Sequence, residues 1–267
     1  MPQVLGYCLS AACQQRHMKK TTAPQSIGEK AYLYLRGRIL SGELPPGAAV
    51  SEASIARQLG NSRGPLREAV RRLTAEGFLR QAPNGGSAVV EFSRRDVAEL
   101  YELREALEIY AAGRAAEHKL ADSEAAAMKR AVDDVLLLRD ELEASAQSHL
   151  GSEEMRRFIR IDLQFHTLLV RAAANSRILK VVADTRVLLN VFALRRAGHS
   201  ASQLTQIYSY HRDILAAIVG GDPQQAMRLI GEHIRVSREE RLKEHDDRER
   251  EAALHHPLLD SQTVDVF

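Results

Sequence analysis

Residues 62–73 carry the tightest constraint on what this chain folds into. Arg63, Arg67 and Arg71 recur every fourth position, while Leu66, Ala69, Val70 and Leu73 recur at i, i+3, i+4 and i+7. That spacing predicts a short amphipathic helix with one face for a core and another for arginine. Ser62 stands as its N-cap, and Pro65 falls in the first turn, where a missing N–H costs nothing.

A helix this short needs neighbours, and the flanking sequence supplies them. Ile27, Ala31, Leu35 and Ile39 form an apolar stripe that ends at "SGELPPG", a helix-stopping cluster of Gly and Pro. Ser51 caps a second short helix holding Ile55, Ala56 and Leu59, which stops near Gly60. After Gly77, two extended runs flank Asn84-Gly85-Gly86, a tight-turn signal. Three short helices followed by a hairpin outline a winged helix-turn-helix.

Beyond it the chain reads as helix throughout. Ser93 with Asp96 is a capping box that opens a helix over about 94–118. Further helices are expected at about 122–147, 153–174, 176–197, 201–220 and 223–245, the last opened by Asp222-Pro223. The fold class is therefore mainly α: a winged helix-turn-helix joined to a bundle of six helices, or seven. The domain expectation is a disordered leader at 1–23, a DNA-binding domain at 24–92, a helical metal- and effector-binding domain at 93–245, and a flexible tail at 246–267.

Charge separates the two halves. Residues 1–91 carry 12 Lys/Arg against 6 Asp/Glu, and the remainder 25 against 29, so only the front half suits a polyanion. The two cysteines, Cys8 and Cys13, both lie in the leader, which excludes a disulfide scaffold for the folded body and fits a reducing compartment. The leader has no positive charge before its short, broken apolar run, so a disordered leader is expected rather than an export signal, with Met18 as an alternative start. No stretch reaches the roughly 18 apolar residues of a membrane helix. A cytoplasmic protein without a membrane partner is expected.

The arginine row admits two readings: a solvated basic face, or a face for duplex DNA. A recognition helix sets its N-terminal residues in the major groove, where guanidinium groups bind phosphates or the guanine edge. Ser62, Arg63 and Arg67 sit where that geometry needs them. Gly64 lets the helix start approach a phosphate, which main-chain N–H groups there can meet. The coincidence of the row with a helix-turn-helix outline and a basic half-chain favours DNA.

The stretch "YLYLRGRILSGELPPGAAVSEASIARQLGNSRGPLREAVRRLTAEGFLRQAPNGGSAVVEF" resembles the N-terminal domain of GntR-family bacterial transcription regulators. The shared residues are the Gly42 to Gly47 turn, Ser51-Glu52, Ser62 to Ala69, Glu76-Gly77, and the wing with Pro83, Asn84 and Gly86. The resemblance implies DNA contacts from Ser51, Glu52, Ser62, Arg63, Gly64, Pro65, Arg67 and Gly86, and a homodimer on two half-sites of operator DNA. The sequence departs from the family at Asn61, Gly85 and Ala53, which leaves the operator sequence open.

In the second half, three of the ten histidines face apolar stripes. "FIRIDLQFHTLLV" sets Asp162 and His166 on one helix face beside Leu163, Leu169 and Val170. His211 precedes Ile214, Leu215 and Ile218 by one turn, and His233 is in register with Leu229, Ile230 and Ile234. One carboxylate and three imidazoles suit a divalent transition metal such as Zn²⁺ or Ni²⁺. Three ordinary core histidines and an Asp–Arg or Asp–His pair fit the residues as well. Other histidines fall at helix ends (His118, His149, His199) or in likely tails (His17, His245, His255, His256) and carry no expectation.

Residues 94–240 resemble the helical FCD effector domain of the FadR-type branch, many members of which hold a metal through one Asp and three His. That resemblance implies Asp162, His166, His211 and His233 as ligands, and a small carboxylate as effector. It also implies that Arg104 points toward the effector, although an i, i+4 ion pair with Glu108 accounts for it equally. Arg186 and Asn190 fall near the same pocket. The function expected is a transcription regulator, a repressor, whose metal-containing domain senses a small organic acid; the alternative is a metal-dependent helical-bundle enzyme with an accessory DNA-binding domain.

Overall fold

The computed structural model describes residues 26–60, 62–82, 86–193 and 198–255. The leader, with Cys8 and Cys13, and residues 256–267 lie outside them, as do Asn61 and Pro83 to Gly85 of the wing.

The first domain comprises α1 (Ile27–Leu40), β1 (Ala49–Val50), α2 (Glu52–Gln58), α3 (Arg63–Ala75), β2 (Leu79–Gln81) and β3 (Ser87–Val89). The Ser51 hydroxyl accepts the Ser54 N–H and starts α2 as expected. Gly60 turns the chain from α2 to α3 with φ +61°, a backbone geometry that favours glycine. Leu66, Ala69, Val70 and Leu73 are all buried, as their period required, against Ala31, Leu35 and Ile39 of α1. Ile27 departs from its stripe: at the first turn of α1 it is 48% exposed.

The strands form one antiparallel sheet in the order β1-β3-β2, with Ala49 opposite Ala88 and Leu79 opposite Val89. The hairpin β2–β3 was expected. β1 was not, since two residues carry no periodicity and their pairing with β3 is distant in sequence.

The second domain is a six-helix bundle: α4 (Arg94–His118), α5 (Asp122–Glu143), α6 (Ser152–Ala172), α7 (Ser176–Ala193), α8 (Ala201–Gly220) and α9 (Pro223–His255). Ser93 and Asp96 make the expected capping box, and Asp222 accepts the Gln225 N–H at the start of α9. α4 packs along α9 through small residues, Ala111, Ala112, Ala115 and Ala116, all at most 2% exposed. A Cβ on Gly113 would meet Met227 Sδ at 2.8 Å, so a larger residue there would oblige the Met227 side chain to shift. Phe165, Leu169, Ile214, Ile218, Ile230 and Ile234 complete the core at 0% exposure, each contributing about 1.5–3 kcal/mol through burial.

Two helix ends and one side chain depart from expectation. α5 ends at Glu143, not near 147. Leu163, expected inside beside Asp162, lies on the outer face of α6 with Arg160 and Thr167. The flexible tail expected from 246 is instead helical to His255, because α9 is tied down there. Asp246 accepts from Arg94 at 2.9 Å, Asp247 pairs with Arg250 at 2.7 Å, and His245 is 8% exposed with Nε2 3.3 Å from the Phe92 carbonyl oxygen.

The domains meet at α7. Val187 and Leu188 pack against the first domain's core, and the Leu188 methyls lie 3.5 and 3.6 Å from where a Cβ on Gly77 would sit.

Candidate metal centre and nucleic-acid face

Asp162 and His166 stand four apart on α6, so both project from one face into the bundle. His211 arrives from α8 and His233 from α9. The three rings are at most 4% exposed. His233 Nε2 lies 3.3 Å from both His166 Nε2 and His211 Nε2. Asp162 Oδ1 is 3.5 Å from His166 Nε2 and 3.6 Å from His211 Nε2. Phe165 stacks on His211 with centroids 4.0 Å apart and fixes that ring.

These spacings match donors arranged around a common centre. Ligands at about 2.0–2.1 Å from a tetrahedral ion stand about 3.3 Å apart. The four side chains are therefore compatible with a divalent ion. They fit in chemistry too, since each imidazole presents Nε2 and the carboxylate presents one oxygen.

The surrounding shell was the part sequence reasoning did not assemble. Glu108 of α4, fully buried, stands with Oε2 2.5 Å from His166 Nδ1, so that nitrogen donates outward and leaves Nε2 as the inward lone pair. Arg104 donates Nε to Glu108 Oε1 at 2.9 Å, making the i, i+4 pair. Arg104 also lines a cavity of ≈ 40 Å³ with Tyr101, Phe158, Ile159, Asp162, Arg186, Leu189 and Arg241. The i, i+4 ion-pair reading of Arg104 is thus met, and the same side chain borders that cavity. Arg186 of α7 bonds Asp162 Oδ2 and reaches Glu108 Oε1 at 3.4 Å. The side chain of Asn190 lies outside the described residues.

Electrostatics follow from this packing. Burial alone would push the Glu108 carboxyl up, but Arg104, His166 and Arg186 overcome it and hold the group well below the ordinary carboxylate range. Asp162 is held down likewise, with Arg186 the largest charge opposing its burial. Burial, then the neighbouring rings, pushes His211 well down and His233 down to about 3, so both are neutral, the form that ligates a metal. His199, which carried no expectation, is also buried and pushed down to about 4, with its ring edge-on to Phe158 at 4.5 Å.

The opposite end of the molecule carries the arginine face. Ser51, Glu52, Arg67, Arg80, Gly86 and Ser87 line an open groove of ≈ 910 Å³ between the start of α3 and the wing. The Arg67 side chain is 78% exposed, with Nε 3.8 Å from Glu52 Oε2. Ser62 has the extended backbone of an N-cap but its side chain makes no cap hydrogen bond. A Cβ on Gly64 would meet no atom of the chain, so nothing in the fold itself asks for glycine there. Pro65 sits in the first turn, half-buried, and α3 begins at Arg63, whose side chain is outside the described residues. Arg72, one residue past the row, is structural: it lies 3.6 Å over the Tyr32 ring and pairs with Glu29 and Glu76.

No described helix is long and apolar enough to cross a membrane.

Comparison with known proteins gives matches over both domains. Residues 27–89 match the family described as "Bacterial regulatory proteins, gntR family", and residues 99–236 match the FCD domain. The chain is 30% identical over 221 residues to a "Probable D-xylose utilization operon transcriptional repressor" of Paenarthrobacter nicotinovorans, covering 82% of this chain and 88% of the relative. It is 33% identical over 206 residues to an "Uncharacterized HTH-type transcriptional regulator in unstable DNA locus" of Streptomyces ambofaciens, covering 77% and 80%. The fold is similar to that of E. coli McbR/YncC, with TM-score 0.65 at 19% identity over 82% of this chain and 99% of the other.

Proposed function

The chain belongs to the GntR family of bacterial transcription regulators and carries an FCD domain, and from that premise we propose that it is a metal-loaded repressor that reads a small organic acid and releases operator DNA. The family sets aside the enzyme alternative. What supports the metal is the convergence of three Nε2 atoms and one carboxylate oxygen at 3.3–3.6 Å.

A zinc or nickel ion there would be held by Asp162, His166, His211 and His233, and would supply a Lewis-acidic position to which a carboxylate can bind. Glu108 keeps His166 in the ligating tautomer. Arg186 keeps Asp162 ionised and turned so that Oδ1 faces the rings. Arg104 lines the adjoining cavity and offers a guanidinium to the acid.

The readout runs along α7. Arg186 faces the site, and Val187 and Leu188 seat against the first domain. A ligand that draws Arg186 away from Asp162 moves the helix on which the DNA-binding domain rests. Coupling of this kind is typically worth about 1–3 kcal/mol.

On the DNA side, a homodimer presents two α3 helices to half-sites about one duplex turn apart or less. Arg67 faces the major groove from the helix that Arg63 opens, Glu52 steadies Arg67, and Ser51, Ser62, Gly64, Pro65 and Gly86 border the phosphate path. A DNA partner means that the protein works in the cytoplasm.

The test is selection of genomic fragments on the purified protein, followed by metal analysis of the same preparation. Enrichment of a short palindrome together with about one ion per chain supports the reading. Failure to enrich any site removes the DNA assignment, and far less than one ion per chain removes the ligand set. Loss of metal in His211→Ala, with helical content retained, assigns the ion to these residues.

A further inference from the structure

The open groove beside α3 is floored and walled in a way that singles out Arg80. Alternate residues of a strand point to opposite faces of the sheet. Leu79 and Val89 turn into the core, while Ala49, Arg80 and Ala88 turn toward the groove, with Ala88 paired to both of the others. Arg80 is therefore a long side chain set on a floor of alanine. Arg67 borders the same groove from α3, the opposite wall. A floor this low lets a sugar–phosphate strand lie close, with a guanidinium on either side of it.

The arginines of this domain differ in how closely an acid holds them. Arg38 meets Glu43 at 2.8 Å, and Arg72 meets Glu29 at 2.8 Å and Glu76 at 3.1 Å. The two on the groove are held more loosely. Arg67 stands 3.8 Å from Glu52, and Arg80 stands 3.5 Å from Glu91 with its side chain 46% exposed. An exposed ion pair that loose contributes little to the fold, so each guanidinium can turn to a phosphate. The Glu91 carboxylate rests against the turn at Gly47, which also borders the groove. A Cβ on Gly47 would lie 2.6 Å from Glu91 Oε1, so the acid occupies the space a side chain there would take.

Resting on the DNA reading above, we propose that Arg80 is a second phosphate-binding arginine, on the wing side of the groove, and that Glu91 competes with the phosphate for it. In the free protein Arg80 stays beside Glu91. When a duplex backbone enters, the guanidinium turns to it and the carboxylate is left at the rim without its partner, a cost that tempers binding. The contact is to the backbone, so it acts alike on every sequence and positions the wing without reading a base.

The test uses the full chain and a fluorescein-labelled duplex pool of random sequence, titrated by anisotropy at several salt concentrations. Arg80→Ala is expected to weaken binding about fivefold at ~0.1 M salt and to lower the salt slope by about one. Arg80→Lys is expected to keep the slope, because a phosphate accepts a point charge where a guanine edge asks for the planar fork. Glu91→Gln is expected to strengthen binding about two- to fivefold. With Arg80 already Ala, the same change is expected to alter binding less than about 1.5-fold. Both side chains face solvent, so the variants are expected to melt with the parent protein.

An unchanged salt slope in Arg80→Ala overturns the phosphate contact, and so does a slope lost as fully in Arg80→Lys as in Arg80→Ala. The full gain from Glu91→Gln persisting without Arg80 overturns the competition. A parent protein that binds no duplex fails the DNA reading first, and the inference falls with it. A slope that falls in Arg67→Ala and not in Arg80→Ala leaves the DNA reading standing and removes Arg80 alone.

Discussion

Arg186 and Leu188 lie two positions apart on α7 and belong to different domains: Arg186 bonds Asp162 inside the helical bundle, while Leu188 packs over Gly77 of the winged helix. Positions i and i+2 of a helix point to nearly opposite sides, so one rigid element touches both functions.

Leu188→Ala should therefore separate them. Zinc content is expected to stay within about twofold, while the effect of a small carboxylate effector on operator affinity shrinks by more than half from a coupling of about 1–3 kcal/mol. Fluorescence anisotropy of labelled operator, with and without the acid, reads the difference. A variant that responds as strongly as the parent would remove α7 from the route.

Glu108→Gln tests the support behind His166. The change replaces the carboxylate that accepts from His166 Nδ1 with a neutral amide and leaves buried Arg104 without its counter-charge, while Arg186 keeps Asp162. Metal affinity should fall about 10–100-fold in chelator competition. The thermal midpoint should fall too, as expected for an uncompensated buried charge worth about 3–5 kcal/mol. Unchanged zinc affinity would show that His166 needs no such partner.

Acid should destabilise the metal-free protein. His199 and His233 are neutral in the fold, with values pushed down to about 4 and about 3, and the unfolded chain takes up their protons below about 6.5. Their contribution is present in full above pH 6.5 or so, is lost progressively as pH falls below it, and is spent once both folded-state values are passed. The slope is about 1.4 kcal/mol per pH unit for each ring. His199→Asn should make a plot of unfolding free energy between pH 6 and pH 4.5 shallower by one proton. A flat plot for the parent protein would contradict the burial of both rings in neutral form.

Arg67→Ala should weaken operator binding at least about tenfold and lower the salt slope by about one. Gel-shift titrations at several salt concentrations measure both. Since Arg67 is largely exposed and its nearest acid is 3.8 Å away, folding is expected to be unaffected.

Much of the molecule was legible in its residues, for reasons that differ by element. The stripe in α3 and the caps at Ser51, Ser93 and Asp222 are local signals, and each sits where the spacing put it. Asp162 and His166 were readable as a pair because four residues make one helical turn. Glu108 was not, since an acid four positions after Arg104 reads as a surface ion pair until α6 and α7 are laid against it. Arg241 lies in "SREERLKEHDDRERE", where charge density matches that of a solvated face and nothing local marks the one guanidinium that lines a cavity. The lack of a sustained period suggested a tail beyond 246, and the distant partners Phe92 and Arg94 help hold that stretch wound.

The uncapped start of α3 has a dynamic consequence. The Ser62 hydroxyl makes no cap hydrogen bond, so it leaves the Arg63 and Gly64 amides uncapped by that side chain, Pro65 having none to offer. Those amides open and close more readily than the rest of the helix and exchange their hydrogens with solvent faster. In the proposed operator complex a DNA phosphate at that turn would supply an acceptor. On the proposed reading, operator binding is expected to slow amide exchange at Arg63 and Gly64, the free first-turn N–H groups ahead of Pro65.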